Sequence, residues 1–406
     1  MPLEGDNMMG VKRNNRSAAL RILHEKGEMS RKRLAESMKL TPAAITKIAG
    51  EMLGEGLLVE GEAVSSGTAG RREIMVRLNE RCACALGLLI NLRQAILSAV
   101  WLDGTVIFSE ELRLDRRAPA GPTVERLCAR LMALAEENGL ERSRIVGVGV
   151  AVRGVTSLDG RSSANSFGAF AEVNYPLCDR VEELTGLRAV MANNVRALFA
   201  AHMFLSRDEA AGSQFFLRCE YGIGASLSID GRIWHGVTEQ CAEIGHIPVV
   251  RRGGKPCVCG KSGCLETIAS PTAIQEDALD ILSPEQTPVL WKLCGERRPE
   301  ELALEDVFNA ACSGDEGAAG IVDRAVSTLG GAIKSVIYLL DPGKIVLYGR
   351  MFDNPYYLSR LLSEAQEGVD GGHRVEILTS PYNHQLENRA ASLLAVEDFF
   401  DNGGIR

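Results

Sequence analysis

Apolar residues in the first eighty positions recur with the 3.6-residue period of helices. Leu20 and Leu23 lie on one face of a first predicted helix, which Gly27 ends. Ser30 is a suitable N-cap for a second helix, Arg31–Met38. In that helix Leu34, Ala35 and Met38 are expected to face inward.

A third helix is predicted to begin at Pro42, with Thr41 as its N-cap. Its buried positions are expected to be Ile45, Ile48 and Leu53. A three-residue turn separates it from the second helix, which indicates a helix-turn-helix whose third helix would enter the major groove of DNA. The residues predicted to face DNA are Thr41, Ala43, Ala44, Thr46, Lys47 and, at the start of the second helix, Arg31.

Two strand-like runs, 56–60 and 73–78, flank a polar loop and predict the wing of a winged helix. Arg71 and Arg72 stand beside glycines in that loop, an arrangement suited to a narrow, A·T-rich minor groove. The alternative is a three-helix packing module with a solvated basic face.

From about residue 82 onward, strand-like runs alternate with helices, which predicts an α/β body. The predicted strands are 82–90, 94–102, 145–152, 214–219, 225–229 and 344–348, and the predicted helices lie near 123–138, 194–204 and 317–340.

Composition favours a soluble protein with more than one domain. The chain has 406 residues, of which 46% are hydrophobic and 24% charged. No apolar run approaches the roughly 18 residues that span a bilayer, and the first ten residues lack an apolar signal segment. We therefore expect a cytoplasmic protein without membrane insertion.

Charge is distributed unevenly. Residues 11–50 contain ten Lys or Arg and three acids, a local charge of +7, whereas the whole chain carries −8. A basic head on an acidic body indicates that only the head binds a polyanion.

One short stretch combines an imidazole with three thiols: His246, Cys257, Cys259 and Cys264. These are the ligand types of a structural, tetrahedral Zn²⁺. A disulfide is the weaker interpretation because Cys257 and Cys259 are too close in sequence to bridge without strain. The third interpretation is a set of unligated thiols.

The run Cys257-x-Cys259-Gly260-x-x-Gly263-Cys264-x-Glu266, preceded by Glu243-Ile244-Gly245-His246, resembles the signature of the ROK family of repressors and sugar kinases. The head resembles that of the repressor branch. The resemblance implies a winged helix-turn-helix domain, 1–80, followed by an actin-like, ribonuclease-H-like ROK body, 81–406. One lobe would be about 81–195 with a C-terminal helix at 385–400, the other about 196–384, with structural zinc at 246–264.

The same resemblance implies a sugar site. The matching positions in this sequence are Asn165, Asn193, Asn194, Glu243, His246 and Glu266. Carboxylates and amides suit the paired donors and acceptors of sugar hydroxyls. His246 would bind zinc through one ring nitrogen and orient a hydroxyl with the other.

The kinase machinery matches poorly. Where the family's kinases have a catalytic aspartate, this chain has Asn194, and an amide cannot act as a general base. The phosphate turn Asp-x-Gly-Gly-Thr is replaced by residues 89–93, and the other nucleotide loops are altered at Glu220, Tyr221 and Arg350. We therefore expect no ATP binding and no catalysis.

The resulting hypothesis is a transcriptional regulator, a repressor of carbohydrate genes, that binds an inverted-repeat operator as a homodimer, or as a tetramer, and responds to a sugar or sugar phosphate. One alternative is a bifunctional sugar kinase. The other is a regulator controlled by zinc or by a transporter or other partner protein, which the crowding by Cys241 and Ala242 beside Glu243 leaves open.

Overall fold

The computed structural model describes residues 8–64, 73–206, 212–295, 301–369, 372–373, 375–382 and 385–405. Internal contacts divide the chain into two units, Met1–Glu209 with Gln385–Arg406, and Ala210–His384. None of the helices in the described ranges is long and apolar enough to cross a membrane.

The head is a winged helix-turn-helix. Its elements are α1 (Met8–Lys26), β1 (Met29–Ser30), α2 (Arg31–Met38), α3 (Pro42–Gly54), β2 (Leu58–Val64) and β3 (Glu73–Leu78). The strands form an antiparallel sheet in the order β1-β3-β2. Both predicted caps form, because Ser30 Oγ accepts from Arg33 N and Thr41 Oγ1 from Ala44 N, each at 3.3 Å.

The core of α3 differs from the prediction at one position. Ile45 and Ile48 are buried as expected, but Met52 fills the third place and Leu53 is only half-buried. Positions 45, 48 and 52 follow the i, i+3, i+7 stripe of a helix, and Leu53 lies about 100° farther round. The strand β1, which pairs with β3, was not predicted.

The first unit continues with a five-stranded sheet of order β10-β7-β4-β5-β6, in which β4, β7 and β10 are parallel and β4, β5 and β6 antiparallel. Its elements are β4 (Cys84–Ile90), β5 (Gln94–Trp101), β6 (Val106–Arg113), α4 (Ala120–Glu137), β7 (Ile145–Val152), β8 (Val155–Thr156), β9 (Ser163–Asn165), α5 (Leu177–Thr185), β10 (Ala189–Asn193) and α6 (Asn194–Ser206).

The second unit repeats this topology, since its sheet has the order β13-β12-β11-β14-β15 with the same parallel and antiparallel pairs. Its elements are β11 (Gln214–Cys219), β12 (Ile223–Ile229), β13 (Arg232–Ile233), α7 (Glu266–Ala269), α8 (Pro271–Asp280), α9 (Pro288–Cys294), α10 (Leu304–Cys312), α11 (Glu316–Leu340), β14 (Lys344–Tyr348), α12 (Pro355–Gln366) and β15 (Glu376–Thr379). Two ribonuclease-H-like sheets therefore confirm the predicted body fold.

The last helix, α13 (Glu387–Asp401), belongs to the first unit. It packs closely on β4 and β7 because glycines face it there: a Cβ on Gly87 or Gly149 would collide with the backbone of residues 391–392. Ser392 Oγ also shares a 2.7 Å hydrogen bond with Ser98 Oγ of β5. The helix α6 lies in this unit too, so the division falls after residue 206 rather than near 195.

The head is attached to the same unit through α1. His24 stacks on Phe204 of α6, with ring centroids 4.0 Å apart, and its Nε2 lies 3.0 Å from the Phe204 carbonyl oxygen. Arg21 pairs with Asp401 at 2.6 Å. The helix α1 therefore serves both the head and the body.

Candidate functional site

The predicted metal ligands converge in the second unit. His246 ends a short 3-10 turn, and the three cysteines lie in the loop before α7. The Nδ1 atom of His246 is 3.4 Å from Cys257 Sγ, and Cys259 Sγ is 3.7 Å from Cys264 Sγ. All four ligand atoms lie within 4.8 Å of one another. This cluster could hold a metal ion.

The spacing fits zinc. Bonds of about 2.3 Å to sulfur and 2.0–2.1 Å to nitrogen give a tetrahedron with edges of about 3.5–3.8 Å. The two distances above match those edges. Gly260 and Gly263 make the tight turns with φ of +86° and +74°, where other residues would be strained. The cluster therefore has the donor set of a four-coordinate zinc site, and two of its ligand–ligand distances match one.

The thiols are not electrostatically equivalent. Burial and the hydrogen bond to Glu266 raise the pKa of Cys257. Burial also opposes ionisation of Cys259, but hydrogen bonds from Lys261 N–H and from the Cys257 and Cys264 thiols lower its pKa. Since the thiolate is the metal-binding form, Cys259 is the thiol readiest to bind.

Two carboxylates surround the histidine. Glu266 Oε1 accepts a 2.9 Å hydrogen bond from Cys257 Sγ and lies 3.4 Å from His246 Nδ1. Glu243 Oε2 lies 4.0 Å from the other ring nitrogen, Nε2. His246 therefore turns Nδ1 to the thiols and Nε2 to Glu243. A side chain at Gly222 would collide with Glu266 Oε2, since its Cβ would lie 2.8 Å away.

Ala242, which precedes Glu243, has a φ of +64°. This left-handed conformation is unfavourable for residues with a Cβ, which explains why a glycine suits this position better. The loop that carries Glu243 is therefore strained.

The other predicted sugar residues lie in the first unit. Asn165 is exposed, and its Oδ1 accepts from Phe167 N at 2.9 Å. Asn193 caps α6, because its Oδ1 accepts from Val195 N at 2.8 Å and Arg196 N at 3.4 Å, while its Nδ2 donates to the Gly154 carbonyl. The capping role was not foreseen.

Asn194 is buried and also bonded within the protein. Its Nδ2 donates a 2.9 Å hydrogen bond to Oδ1 of buried Asn91. Asn91 lies in segment 89–93, which the family resemblance matches to a phosphate turn of the kinases. A hydrogen bond therefore links Asn91 and Asn194, a contact that the sequence did not predict.

In the head, four predicted DNA-facing residues are exposed, namely Thr41, Ala43, Thr46 and Lys47, whereas Ala44 is half-buried. Thr46 Oγ1 donates to the Pro42 carbonyl at 2.8 Å. Arg31 is half-buried and pairs with Glu60 at 2.7 Å. Arg71 and Arg72 lie outside the described residues.

The basic charge of the head is partly neutralised. Lys12 pairs with Glu51 at 2.7 Å, and Arg21 with Asp401. Arg16 is one of the ten basic residues of segment 11–50, but it is only 2% exposed and is paired with Glu55. Its helical spacing from Leu20 and Leu23, four and seven residues on, was the available signal that it faces inward.

The fold and the site together define a helix-turn-helix protein with a sugar-kinase-like body. Residues 99–395 match the ROK family, and residues 14–59 match the MarR family. The chain belongs to the ROK family, which confirms the resemblance seen in its motifs.

Relatives include both regulators and enzymes. The chain is 28% identical over 346 residues to the DNA-binding transcriptional dual regulator NagC of Escherichia coli (strain K12), covering 84% of this chain and 81% of NagC. It is 32% identical over 208 residues to a glucokinase of Halalkalibacterium halodurans, covering 51% of this chain and 62% of the enzyme.

Among solved structures, a ROK family transcriptional regulator described as a homologue of the E. coli Mlc protein superposes with a TM-score of 0.79 at 22% identity. The match covers 97% of this chain and 98% of that one, so the fold is shared over nearly the whole length.

Proposed function

We propose that this protein is a DNA-binding transcriptional regulator, a repressor of carbohydrate-metabolism genes, whose body binds a sugar or sugar derivative without phosphorylating it. The observation that carries the proposal is the combination of a winged helix-turn-helix head with a sugar-kinase fold in which Asn194 is bonded to Asn91. Regulator relatives that align over most of the chain support it.

DNA would be bound by α3. Thr41, Ala43, Thr46 and Lys47 present an exposed face, and the first turn of the helix carries no acidic residue. Such a helix can place short side chains against base edges and a lysine against phosphate. Arg31, Ala44, Arg71 and Arg72 complete the proposed interface. A homodimer, or a tetramer built from dimers, would bind an inverted repeat.

The sugar would be bound by Asn165, Asn193, Asn194, Glu243, His246 and Glu266. Support for a polar ligand near the metal cluster comes from Glu243, whose side chain is 38% exposed while His246 Nε2 lies 4.0 Å from its Oε2. Such groups match vicinal hydroxyls in hydrogen-bonding capacity.

Catalysis is not part of the proposal. A carboxylate is needed to accept the proton of the sugar hydroxyl, and the amide of Asn194 donates to Asn91 instead. No ATP is expected to bind. The glucokinase relative keeps a bifunctional sugar kinase as the alternative function to be tested.

The proposed metal is a structural Zn²⁺ held by His246, Cys257, Cys259 and Cys264, which would fix the loop that carries Glu266. The proposed domains are the head, 1–80, and the body, 81–406, in a cytoplasmic protein.

Regulation would follow from population shift: a ligand that prefers one conformation of the body biases the position of the heads. A coupling of about 1–3 kcal/mol would change operator binding roughly 5- to 150-fold.

Thermal denaturation of the zinc-replete protein with free sugars, sugar phosphates and ATP tests the proposal. A sugar at 100 times its Kd should raise stability by about 2.7 kcal/mol. The same sugar should change the affinity for a duplex selected in vitro against the protein. Phosphoryl transfer from ATP would favour the kinase instead. Duplex binding with no response to any sugar would favour control by zinc or by a partner protein.

A further inference from the structure

Arg16 of α1 is the only arginine among the largest fully buried side chains of the described chain. Its Nε donates a 2.7 Å hydrogen bond to the Gly403 carbonyl. Its Nη1 donates to Glu55 Oε1 at 2.7 Å, and its Nη2 donates to Glu55 Oε2. A buried guanidinium is costly unless its donors are paired, so this position depends on both partners.

Glu55 is the residue at which α3 ends. Its backbone N–H donates to the Glu51 carbonyl at 3.0 Å, so the carboxylate is carried by the helix itself. The hydrogen bond from Arg16 lowers the pKa of Glu55 against the opposing effect of burial, which favours the ionised carboxylate. The end of α3 is therefore bound to α1 by a bidentate ion pair.

Gly403 lies in the turn that ends α13. Gly403 and Gly404 have φ of +69° and +73° and donate to the carbonyls of Phe400 and Phe399, each at 2.9 Å. This left-handed turn fits against the head: a Cβ on Gly403 would lie 2.9 Å from the Arg13 carbonyl oxygen, and one on Gly404 2.7 Å from Leu57 Cδ1. Glycine is needed here for both conformation and space.

The remainder of α13 is fixed to the body. It packs on the glycines of β4 and β7 and bonds to Ser98, as described above. A continuous series of contacts therefore runs from the first sheet through α13 and Arg16 to the end of α3. Glu55 lies at the C-terminal end of α3, whereas the residues that would meet DNA lie in its first two turns.

We infer that Arg16 is a positioning residue for the DNA-reading helix, and that residues 402–405, the C-terminal turn, belong to the DNA-binding machinery. This inference rests on the proposed function. Arg16 is too deeply buried to touch phosphate and acts instead by fixing the orientation of α3 on the body. In a dimer, that orientation sets the separation of the two reading helices and hence the half-site spacing.

The test uses the full-length, zinc-replete protein and a palindromic duplex selected in vitro against it, together with duplexes whose half-sites are moved apart by one or two base pairs. The variants are Glu55→Gln, which keeps the shape of the side chain, and Gly403→Ala, which keeps both charges. The matched control is Arg188→Met, which removes the exposed ion pair of Arg188 with Asp398 of α13 but leaves the head contacts intact.

Both variants should bind the selected duplex about tenfold more weakly or worse, because a buried charge loses its partner or the turn is displaced. They should also lose the preference for one half-site spacing. The dependence of log K on log salt concentration should keep its slope, since no phosphate contact is removed. The Arg188→Met control should behave as the wild type does.

Wild-type affinity and spacing preference in both variants would overturn the inference. A lower salt slope in both variants would also overturn it, because a loss of phosphate contacts would then explain the weaker binding. If Glu55→Gln loses zinc or melts below the assay temperature, Gly403→Ala decides the question alone. Failure of the wild type to select any duplex would instead remove the proposed function, and this inference with it.

Discussion

The side-chain amide of Asn194 donates a 2.9 Å hydrogen bond to Oδ1 of Asn91, and both residues are buried. In the kinases that the sequence resembles, the first position carries the catalytic base and the second lies in a phosphate turn. Here the two side chains are hydrogen-bonded to each other, and on the proposed function this contact takes the place of the proton-accepting group.

Asn194→Asp should therefore destabilise the protein without creating a kinase. The new carboxylate replaces a donor by an acceptor in a buried place, at a cost of about 1–3 kcal/mol. Burial should raise the pKa of the new aspartate. The variant should therefore be most stable at low pH, where this carboxyl is protonated, and should lose stability as pH rises through the raised pKa. Thermal unfolding at pH 5 and pH 8, with an ATP turnover assay, checks this. Exposed Asn165→Asp is the control. Equal stability of wild type and Asn194→Asp at both pH values would contradict the expectation.

Cys259→Ser should remove bound zinc and lower the melting temperature, because a site that loses one of four ligands no longer binds its metal tightly. Cys312→Ser is the matched control, since Cys312 is an exposed cysteine at the end of α10. Metal content and thermal unfolding should change only in the first variant. Unchanged zinc in Cys259→Ser would show that the cluster is not the binding site.

Ala242→Gly should stabilise the protein by about 1 kcal/mol. The φ of +64° is unfavourable for alanine and costs glycine little. Ala133→Gly in the middle of α4 should do the opposite and destabilise by a similar amount, because glycine is a poor helix former. Chemical denaturation of both variants measures the difference. A loss of stability in Ala242→Gly would contradict the assigned strain.

Glu397 should make stability depend on pH near neutrality. Burial on α13 raises its pKa from 4.5 to about 7; Arg21 opposes the shift and Asp401 adds to it. The folded carboxyl holds its proton more tightly than the unfolded one. Its contribution to stability is therefore full below pH 4.5 and lost as pH rises through about 7.

Glu397→Gln should consequently be more stable than the wild type at pH 8, by on the order of 1–3 kcal/mol, with a much smaller difference at pH 5. Urea denaturation across this range measures the effect. Glu136→Gln changes an exposed glutamate of α4 and should show no such trend. A constant difference between Glu397→Gln and the wild type would argue against titration of this group.

Lys47→Ala should weaken DNA binding similarly on all sequences and reduce the salt slope by about 0.9, as expected for one lost phosphate contact. Thr46→Ser should instead alter base preference. The Thr46 hydroxyl donates to Pro42 within the helix, which leaves its methyl group for contact with a thymine methyl. Binding measured on a panel of single-base operator variants separates the two. The reverse pattern would mean that α3 faces DNA differently.

Local signals were sufficient to predict most of the head. The starts of α2 and α3 are set by nearby residues. Each N-cap, Ser30 or Thr41, bonds to a backbone N–H three residues further on, and Pro42 is the first residue of α3. The strand β1 has only two residues and is defined by its pairing with β3. A stretch this short has no alternating apolar pattern from which a strand could be predicted. Leu53 was predicted in place of Met52, its neighbour, because both residues are apolar and they differ by only one position along the helix.

The metal cluster was also predictable from local sequence, because its four ligands all lie between residues 246 and 264, within one short segment of the chain. Asn194 was predicted to be a non-catalytic position, but its partner Asn91 is far away in sequence. The role of Arg16 was not predicted, because in the sequence it is one of ten basic residues, and its partners Glu55 and Gly403 are brought to it only by the fold.

The position of α13 has a consequence for biosynthesis. The ribosome makes the head first and residues 385–405 only after the entire second unit, yet the first sheet and Arg16 both require those residues. At a synthesis rate of roughly 5–20 residues per second, many seconds pass between the synthesis of the head and that of residues 385–405. On the inference above, a chain interrupted before residue 403 would lack the carbonyl that holds Arg16 and would not compete for operator sites.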